Sequence, residues 1–253
     1  MKALVDTEVY LFRAAAACEM EAEWAPDDWT YICRHGDAQA LFQDSIAEIL
    51  DTVAKATHTL AAMRPVLVFS AGVSFRYGVW PAYKANRKKH RKPAGYRKLK
   101  EWVANAAVSR GWEVVELPDI EGDDVLGVLY EEGDVICSID KDMLTLPGFH
   151  FRNGEMIAVD RDEADRNFYI QVLTGDASDN YPGCPGFGPK TAEKWLAGHS
   201  DEADLWAMVK RAYESKGLDE RYAITQARCA RILRPGEYDL STHTVRLWEP
   251  PVT

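Results

Sequence analysis

No stretch of this 253-residue chain approaches the roughly 18 consecutive uncharged apolar residues that a membrane-spanning helix needs. Cysteine is scarce as well. The five cysteines (Cys18, Cys33, Cys137, Cys184, Cys229) are odd in number, widely spaced and form no C-x-x-C pair, which argues against a disulfide framework and against a zinc site. A cytoplasmic, reducing setting fits. The opening MKALVDTEVYLFRAAAAC has the small residues of a secretory leader, but Asp6, Glu8 and Arg13 break what would be its apolar core, so no targeting segment is expected. Internal repeats and low-complexity tracts are also lacking. With 47% apolar and 28% charged residues, the chain has the composition and length of an ordinary globular protein that can bury a sizeable core.

One further absence is local. From Lys84 to Lys100 there are nine lysines and arginines (Lys84, Arg87, Lys88, Lys89, Arg91, Lys92, Arg97, Lys98, Lys100) and no aspartate or glutamate, which leaves 21 of the 30 bases against all 40 acids elsewhere. The formal charge of −10 alone would disfavour a polyanionic partner. A positive stripe on an acidic body instead suits a nucleic-acid enzyme whose acids bind metal.

Hydrophobic patterning predicts alternating strands and helices. MKALVD reads as a short buried strand, followed by an Ala-rich helix to about residue 23. Pro26 to His35 reads as irregular. From Asp37, an expected N-cap, Leu41, Ile46, Ile49, Leu50 and Val53 recur at helical spacing, predicting a helix to about Met63. PVLVFS, WEVVEL (112–117) and DVICSI (134–139) are apolar runs of strand length, with a helix beginning near Asp123 between the last two. This order implies βαβ units around a mostly parallel central sheet flanked by helices. FHFRNGEMIAV predicts a hairpin across Asn153-Gly154. After about residue 162 short helices joined by Gly/Pro turns take over, so the expected division is an α/β core, 1–161, containing the basic stretch 84–100, and a helical part, 162–253.

Adjacent acidic pairs carry no information here: six occur, and roughly six are expected by chance in so acidic a chain. Position on the sheet is more telling, because open α/β sheets place their sites at the carboxyl ends of parallel strands. Asp6 ends the first strand, Glu121, Asp123 and Asp124 follow WEVVEL, and Asp140 and Asp142 follow DVICSI. Asp176 and Asp179, three apart in GDASDN, can share one face of a turn. So many anions at one edge repel unless a multivalent cation joins them. With no histidine among them, the donor set suits Mg²⁺ or Mn²⁺, and a pair of such ions would serve phosphoryl transfer. PGCPGFGPKTAEKWL (182–196) is a Gly/Pro turn opening into a helix. It is read equally as a phosphate grip or as a plain connection with Pro189 at the first helical position.

Taken together, LVD ending at Asp6, YKANR at 83–87, EGDD at 121–124, SIDKDMLTL at 138–146 and LTGDASDNYPGCPGFGPKTAEKWL at 173–196 resemble the structure-specific 5′ nuclease (flap endonuclease) family. Residues 31–50 and QARCARILRPGEYDL with LWEP are similar to its phage T-seven-type 5′ exonuclease branch. The resemblance implies a PIN-like α/β fold with a basic helical arch at 84–100 and a helix-hairpin-helix-like turn at 182–196. It also implies a 5′→3′ exonuclease with flap endonuclease capacity, a hydrolase acting in bacteriophage DNA replication on duplex or branched DNA with a 5′ end, flap or gap, and on RNA-DNA primers. Asp6, Glu121, Asp123, Asp124, Asp140, Asp142, Asp176 and Asp179 would hold two Mg²⁺ or Mn²⁺ ions. Lys84 and Arg87, with Asp6, Asp123, Asp124 and Asp140, would be catalytic. Arg76, Tyr83, Lys84, Arg87, Lys88, Lys89, Arg91, Lys92, Gly183, Gly186, Gly188 and Lys190 would contact DNA, with a K⁺ ion at the turn. A replication polymerase or single-strand-binding protein would be the partner, and no membrane would be involved.

One position departs from the pattern. Where the family carries an aspartate after the PVLVF strand, this chain has Ala71. Either the site has been silenced by an Asp→Ala change or it works without that ligand. In either case the expectation is weaker Mg²⁺ binding or slower cleavage than with Asp at 71. The remaining alternatives are a non-catalytic binder of branched DNA and a PIN-like ribonuclease.

Overall fold

Strand β1 (Lys2–Asp6) lies near the middle of a six-stranded sheet because its run Ala3-Leu4-Val5 is wholly buried and has an apolar partner on each side. The computed structural model describes residues 1–58, 63–87 and 91–251. After β1 come α1 (Thr7–Ala17), a hairpin of β2 (Glu19–Ala25) and β3 (Asp28–Cys33), α2 (His35–Ala56), β4 (Arg64–Ser70), the single turn α3 (Arg76–Val79) and α4 (Tyr96–Ala106). Then follow β5 (Glu113–Leu117), α5 (Gly122–Leu129), β6 (Val135–Cys137), β7 (Gly148–Arg152), β8 (Glu155–Val159) and α6 (Arg161–Thr174). The chain ends with α7 (Pro189–Trp195), α8 (Glu202–Glu214), α9 (Glu220–Ala230) and a two-residue-per-strand hairpin, β9 (Tyr238–Asp239) with β10 (Thr244–Val245).

The strand order is β5-β4-β1-β6-β7-β8. All neighbours run parallel except the antiparallel pair β7–β8, whose register sets Arg152 opposite Glu155 across Asn153 and Gly154, both at positive φ. Alternate residues of the central strands enter different cores, as a sheet covered on both faces requires. Val5, Leu67, Phe69 and Cys137 pack with Leu11 of α1, Phe42, Ile46 and Ile49 of α2, and Leu99 and Val103 of α4. Leu4, Val66, Val68 and Ile136 pack on the other face with Val125 and Leu126 of α5 and with Ile232 and Leu233. A third cluster joins α6 to α9 around Tyr169, Trp206 and Tyr213, and Trp248 from the tail closes it.

The α/β fold with a mostly parallel sheet is therefore as the sequence implies, and all five cysteines are free. Among the described residues no helix is long and apolar enough to cross a membrane. Three local expectations need correction. Helix α1 stops at Ala17, not residue 23, and the stretch taken as irregular forms β3. Glu19, Glu21 and Glu23 alternate with Met20, Ala22 and Trp24, a period of two that pairs with Thr30, Tyr31 and Ile32, whereas a continued helix would stack Glu19 on Glu23. Helix α2 starts at His35, with Arg34 rather than Asp37 before its first turn, and ends at Ala56; residues 59–62 lie outside the described residues.

Candidate active site

Parallel strands deliver carboxylates to the carboxyl edge of the sheet. Asp6 is the last residue of β1, Asp140 follows β6 by three residues, and Glu121 and Asp123 open α5 behind β5. These four line a cleft of about 500 Å³ with Glu8, Ser70, Gly72, Ser74, Tyr77, Lys84 and Arg87. Short polar side chains hold its floor. Ser138 Oγ donates to Asp6 Oδ2 (3.0 Å) and accepts from the Asp140 N–H (3.1 Å). Ser70 Oγ, at the end of β4, accepts from the Gly122 N–H (2.9 Å) and so ties the start of α5 to the sheet.

The crowding of anions shows in their proton affinities. Burial, with Glu8 and Asp140 nearby, pushes Asp6 up to about 6. Burial and the charges of Asp6 and Asp140 hold Asp123 well above the usual carboxylate range. Asp142 is also pushed up to about 6, by burial and then by Asp140. Glu121 goes the other way: burial would raise it, but Arg76 and Lys84 bring it below its ordinary value. Asp176 is lowered despite burial, because Ser178 Oγ and the backbone N–H groups of Ser178 and Asp179 donate to its Oδ1.

The eight expected carboxylates do not form one group. Asp142 and Asp176 line a second cavity of about 270 Å³ with Lys141, Asn167, Gln171 and Thr174. Asp179 sits beside the first cleft, where it accepts from Tyr83 Oη (2.7 Å) and Arg87 Nη2 (2.5 Å) and lies 3.7 Å from Lys84 Nζ. Asp124 faces inward and is fully buried. Arg76 binds it bidentately (Nη1–Oδ2 2.6 Å, Nη2–Oδ1 2.7 Å), and the backbone N–H groups of Glu121 and Leu233 donate to it at 3.1 Å. The expectation that Asp124 is a metal ligand and catalytic is thus corrected: adjacent helical residues point about 100° apart, and Asp124 is the counter-ion of Arg76.

Arg76 and Tyr83 are likewise corrected as DNA contacts, because both are buried. Arg76 also donates to the Cys229 and Arg231 carbonyls (2.9 and 2.5 Å), and Tyr83 Oη lies 2.8 Å from Glu121 Oε2. Lys84 and Arg87 do reach the cleft together, but not from a helix. Residues 81–86 form turns, Lys84 has φ of 54°, and the Arg87 N–H closes on the Lys84 carbonyl at 3.1 Å. Lys84 Nζ bonds Glu121 Oε1. Among the described residues of the expected helical arch, helix begins only at Tyr96; Lys88 and Lys89 lie outside them. Arg91 binds Glu19, and Lys92 Nζ sits 4.2 Å from the centre of the Tyr96 ring.

In the 182–196 turn Gly186, Gly188 and Lys190 are exposed, with Gly188 capping α7. Gly183 differs from expectation as a DNA contact: it is buried, its N–H donates to Gln226 Oε1 (3.0 Å), and a Cβ on it would lie 2.6 Å from the Leu173 carbonyl oxygen. Sequence reasoning missed Glu8, Ser70 and Tyr77 as cleft residues. The signal for Glu8 was available, since it lies two residues beyond Asp6 in the first turn of α1.

Among the described residues no three His, Cys, Asp or Glu side chains are gathered into a ready ligand set for one ion. The donors nonetheless fit a hard divalent cation: they are all oxygen, several retain protons well above the ordinary range, and Mg²⁺ keeps several of its own waters. Ala71 sits between the cleft residues Ser70 and Gly72, in the slot where an aspartate would extend the row.

The profile of the family described as 5'-3' exonuclease, N-terminal resolvase-like domain, matches residues 2–169. The exodeoxyribonuclease of Enterobacteria phage T3 is 30% identical over 98% of this chain and 92% of its own length. The exonuclease of Escherichia phage T7 is 30% identical over 98% of this chain and 93% of its own. The bacteriophage T5 D15 protein, crystallised with metal ions, superposes with a TM-score of 0.57 at 18% identity over 90% of each chain, a likeness of fold. A profile match over two thirds of the sequence and end-to-end similarity to two phage nucleases agree with the carboxylate cleft, and the chain belongs to the 5'-3' exonuclease family.

Proposed function

We propose that the protein is a divalent-metal-dependent 5′→3′ exonuclease with flap endonuclease capacity, hydrolysing phosphodiesters near the 5′ ends of duplex or branched DNA and of RNA-DNA primers. The observation that carries this reading is the meeting of Asp6, Glu121, Asp123 and Asp140 with Lys84 and Arg87 in one cleft. A phosphate diester seated there meets cations from the 81–87 turn on one side and carboxylates on the other. Lys84 and Arg87 donate to its oxygens and offset the charge that grows on them, Arg87 with the fork geometry suited to a phosphate. Asp6, Glu121, Asp123 and Asp140 would hold one Mg²⁺ or Mn²⁺ ion, and Asp142, Asp176 and Asp179 a second. Such ions, when bound, make a water nucleophilic and stabilise the departing oxygen.

The division of labour follows the chain: residues 1–161 carry most of the chemistry, joined by Asp176 and Asp179, and the rest of 162–253 holds the duplex. The exposed Gly186 and Gly188 N–H groups with Lys190 grip backbone phosphates, with K⁺ as an accompanying ion, and read no base. Replication intermediates in a host-cell cytoplasm, handed over by a polymerase or a single-strand-binding protein, are the setting this activity suits. The test is nucleotide release from 5′-labelled blunt, gapped and flapped duplexes in Mg²⁺, Mn²⁺ and EDTA. Release from the 5′ end with either metal and none in EDTA is expected. Tight binding of branched DNA without turnover even in Mn²⁺ would overturn the catalytic reading and leave a DNA binder.

A further inference from the structure

The basic stretch leaves the cleft at Arg87 and rejoins regular structure at Tyr96, and its far end is held by an element outside the cleft. Glu19, the first residue of β2, receives Arg91 in a bidentate pair (Nη1–Oε2 2.6 Å, Nη2–Oε1 2.5 Å) and also accepts from the Ala94 N–H (2.6 Å). These donors hold the Glu19 carboxyl down at about 2. The Arg91 guanidinium lies over the ring of Tyr31 in β3, 3.8 Å from its centre, within cation–π range. Glu19 and Cys33 are register partners at the base of the hairpin. Gly95 is buried against Cys33: a Cβ at 95 would sit 2.8 Å from that of Cys33 and closer still to its sulfur. Between Ala14 and Cys33 the chain has five acids and no Lys or Arg, so this hairpin receives cations rather than DNA.

We propose that Glu19 and Tyr31 are positioning residues: they clamp Arg91 and anchor the second root of the basic segment, as Asp179 anchors the first through Lys84 and Arg87. The proposal rests on the nuclease reading, in which the segment between the two roots guides a single-stranded 5′ end into the cleft. With Arg91 and the Ala94 N–H held on the hairpin, this root is already in place where the chain enters α4, and less ordering of it remains for binding. Arg91 then acts through the segment's position rather than as a free phosphate ligand. Loss of the clamp weakens capture of single-stranded ends while the carboxylates, Lys84 and Arg87 keep their places.

The test compares the native chain with Glu19→Gln on a 5′-flap duplex and on a nicked duplex without a flap. For Glu19→Gln, KM on the flap should rise about tenfold, the scale of losing a charged bidentate hydrogen bond. Its kcat and its KM on the nick should change much less. Without DNA, trypsin should cut within 84–95 about tenfold faster. The exchanged pair, Glu19→Arg with Arg91→Glu, should recover flap KM relative to Arg91→Glu alone. Unchanged flap KM and tryptic rate would overturn the clamp, as would equal losses on both substrates accompanied by a lower Tm. If no DNA is cleaved by any of these chains, the nuclease reading fails, while the tryptic comparison still decides whether Glu19 holds the segment.

Discussion

Arg76 and Asp124 form a buried ion pair whose members lie 48 residues apart, with both carboxylate oxygens and most guanidinium donors engaged. Removing one partner leaves an unpaired charge out of water, which costs about 3–5 kcal/mol. Arg76→Met should lose that much in urea unfolding, and the double change Arg76→Met with Asp124→Leu should regain most of it. Recovery identifies Asp124 as a counter-ion; a metal ligand would give none. Nothing local separated Asp124 from Asp123, since which of two adjacent acids faces the cleft depends on an arginine brought up by the fold. Asp6 and Asp140 were legible because an acid directly after an apolar strand run can only sit at the sheet edge. At 71 the empty place in the row makes its own prediction. Ala71→Asp should raise Mg²⁺ affinity about tenfold, as ligand charge count tunes such sites, measured by calorimetric titration. Equal affinity with and without the aspartate would show that the row is complete as it stands.

At the scale of elements, strands and helices that cross the core were readable, because period two and period 3.6 are written in residues that must be buried. The hairpin β2–β3 was not, since its side chains are mostly exposed: Trp24 is 69% and Trp29 56% accessible. With no core face to impose a period, the alanines before it dominated the reading. The conformation at Lys84 escaped the sequence for a related reason: its turn is set by partners on the 176–181 loop, with the Lys84 N–H bonded to the Asp179 carbonyl (2.8 Å). Close approach between elements leaves a sharper mark. Gly127, inside α5, faces the backbone carbonyl of Leu233 and stands where a Cβ would also touch Leu146 at 3.0 Å. Helix propensity alone favours alanine there by about 1 kcal/mol. Overpacking against a backbone atom outweighs that, and Gly127→Ala should destabilise by about 1–3 kcal/mol. The measurement is again urea unfolding, and a gain in stability would mean that the 231–234 segment yields easily.

For the whole molecule, charge is segregated in sequence into a basic segment and an acidic remainder, and Lys84, Arg87 and Arg91 at the segment's two roots are each matched by a carboxylate. That separation was visible in the sequence, whereas the matching was not, because it joins residues 37, 92 and 72 positions apart. Global stability also carries a pH signature independent of the cleft. His150, on β7, is 2% exposed, and its Nε2 lies 2.9 Å from the Leu146 carbonyl oxygen. Burial lowers its pKa below the ordinary value, and the carbonyl only partly offsets this. The unfolded chain therefore takes up a proton near pH 6.5, where the folded chain still has a neutral imidazole. The stabilisation from His150 is complete above that pH and declines as pH falls through the unfolded value toward the folded one. The native chain in EDTA should lose more Tm between pH 7.5 and pH 5 than His150→Gln, whose amide can still donate to Leu146 but takes no proton. The difference between the two chains removes the carboxylates they share. An equal fall in both would mean that the imidazole is protonated in the folded state without penalty, and the acid sensitivity would then belong to other groups.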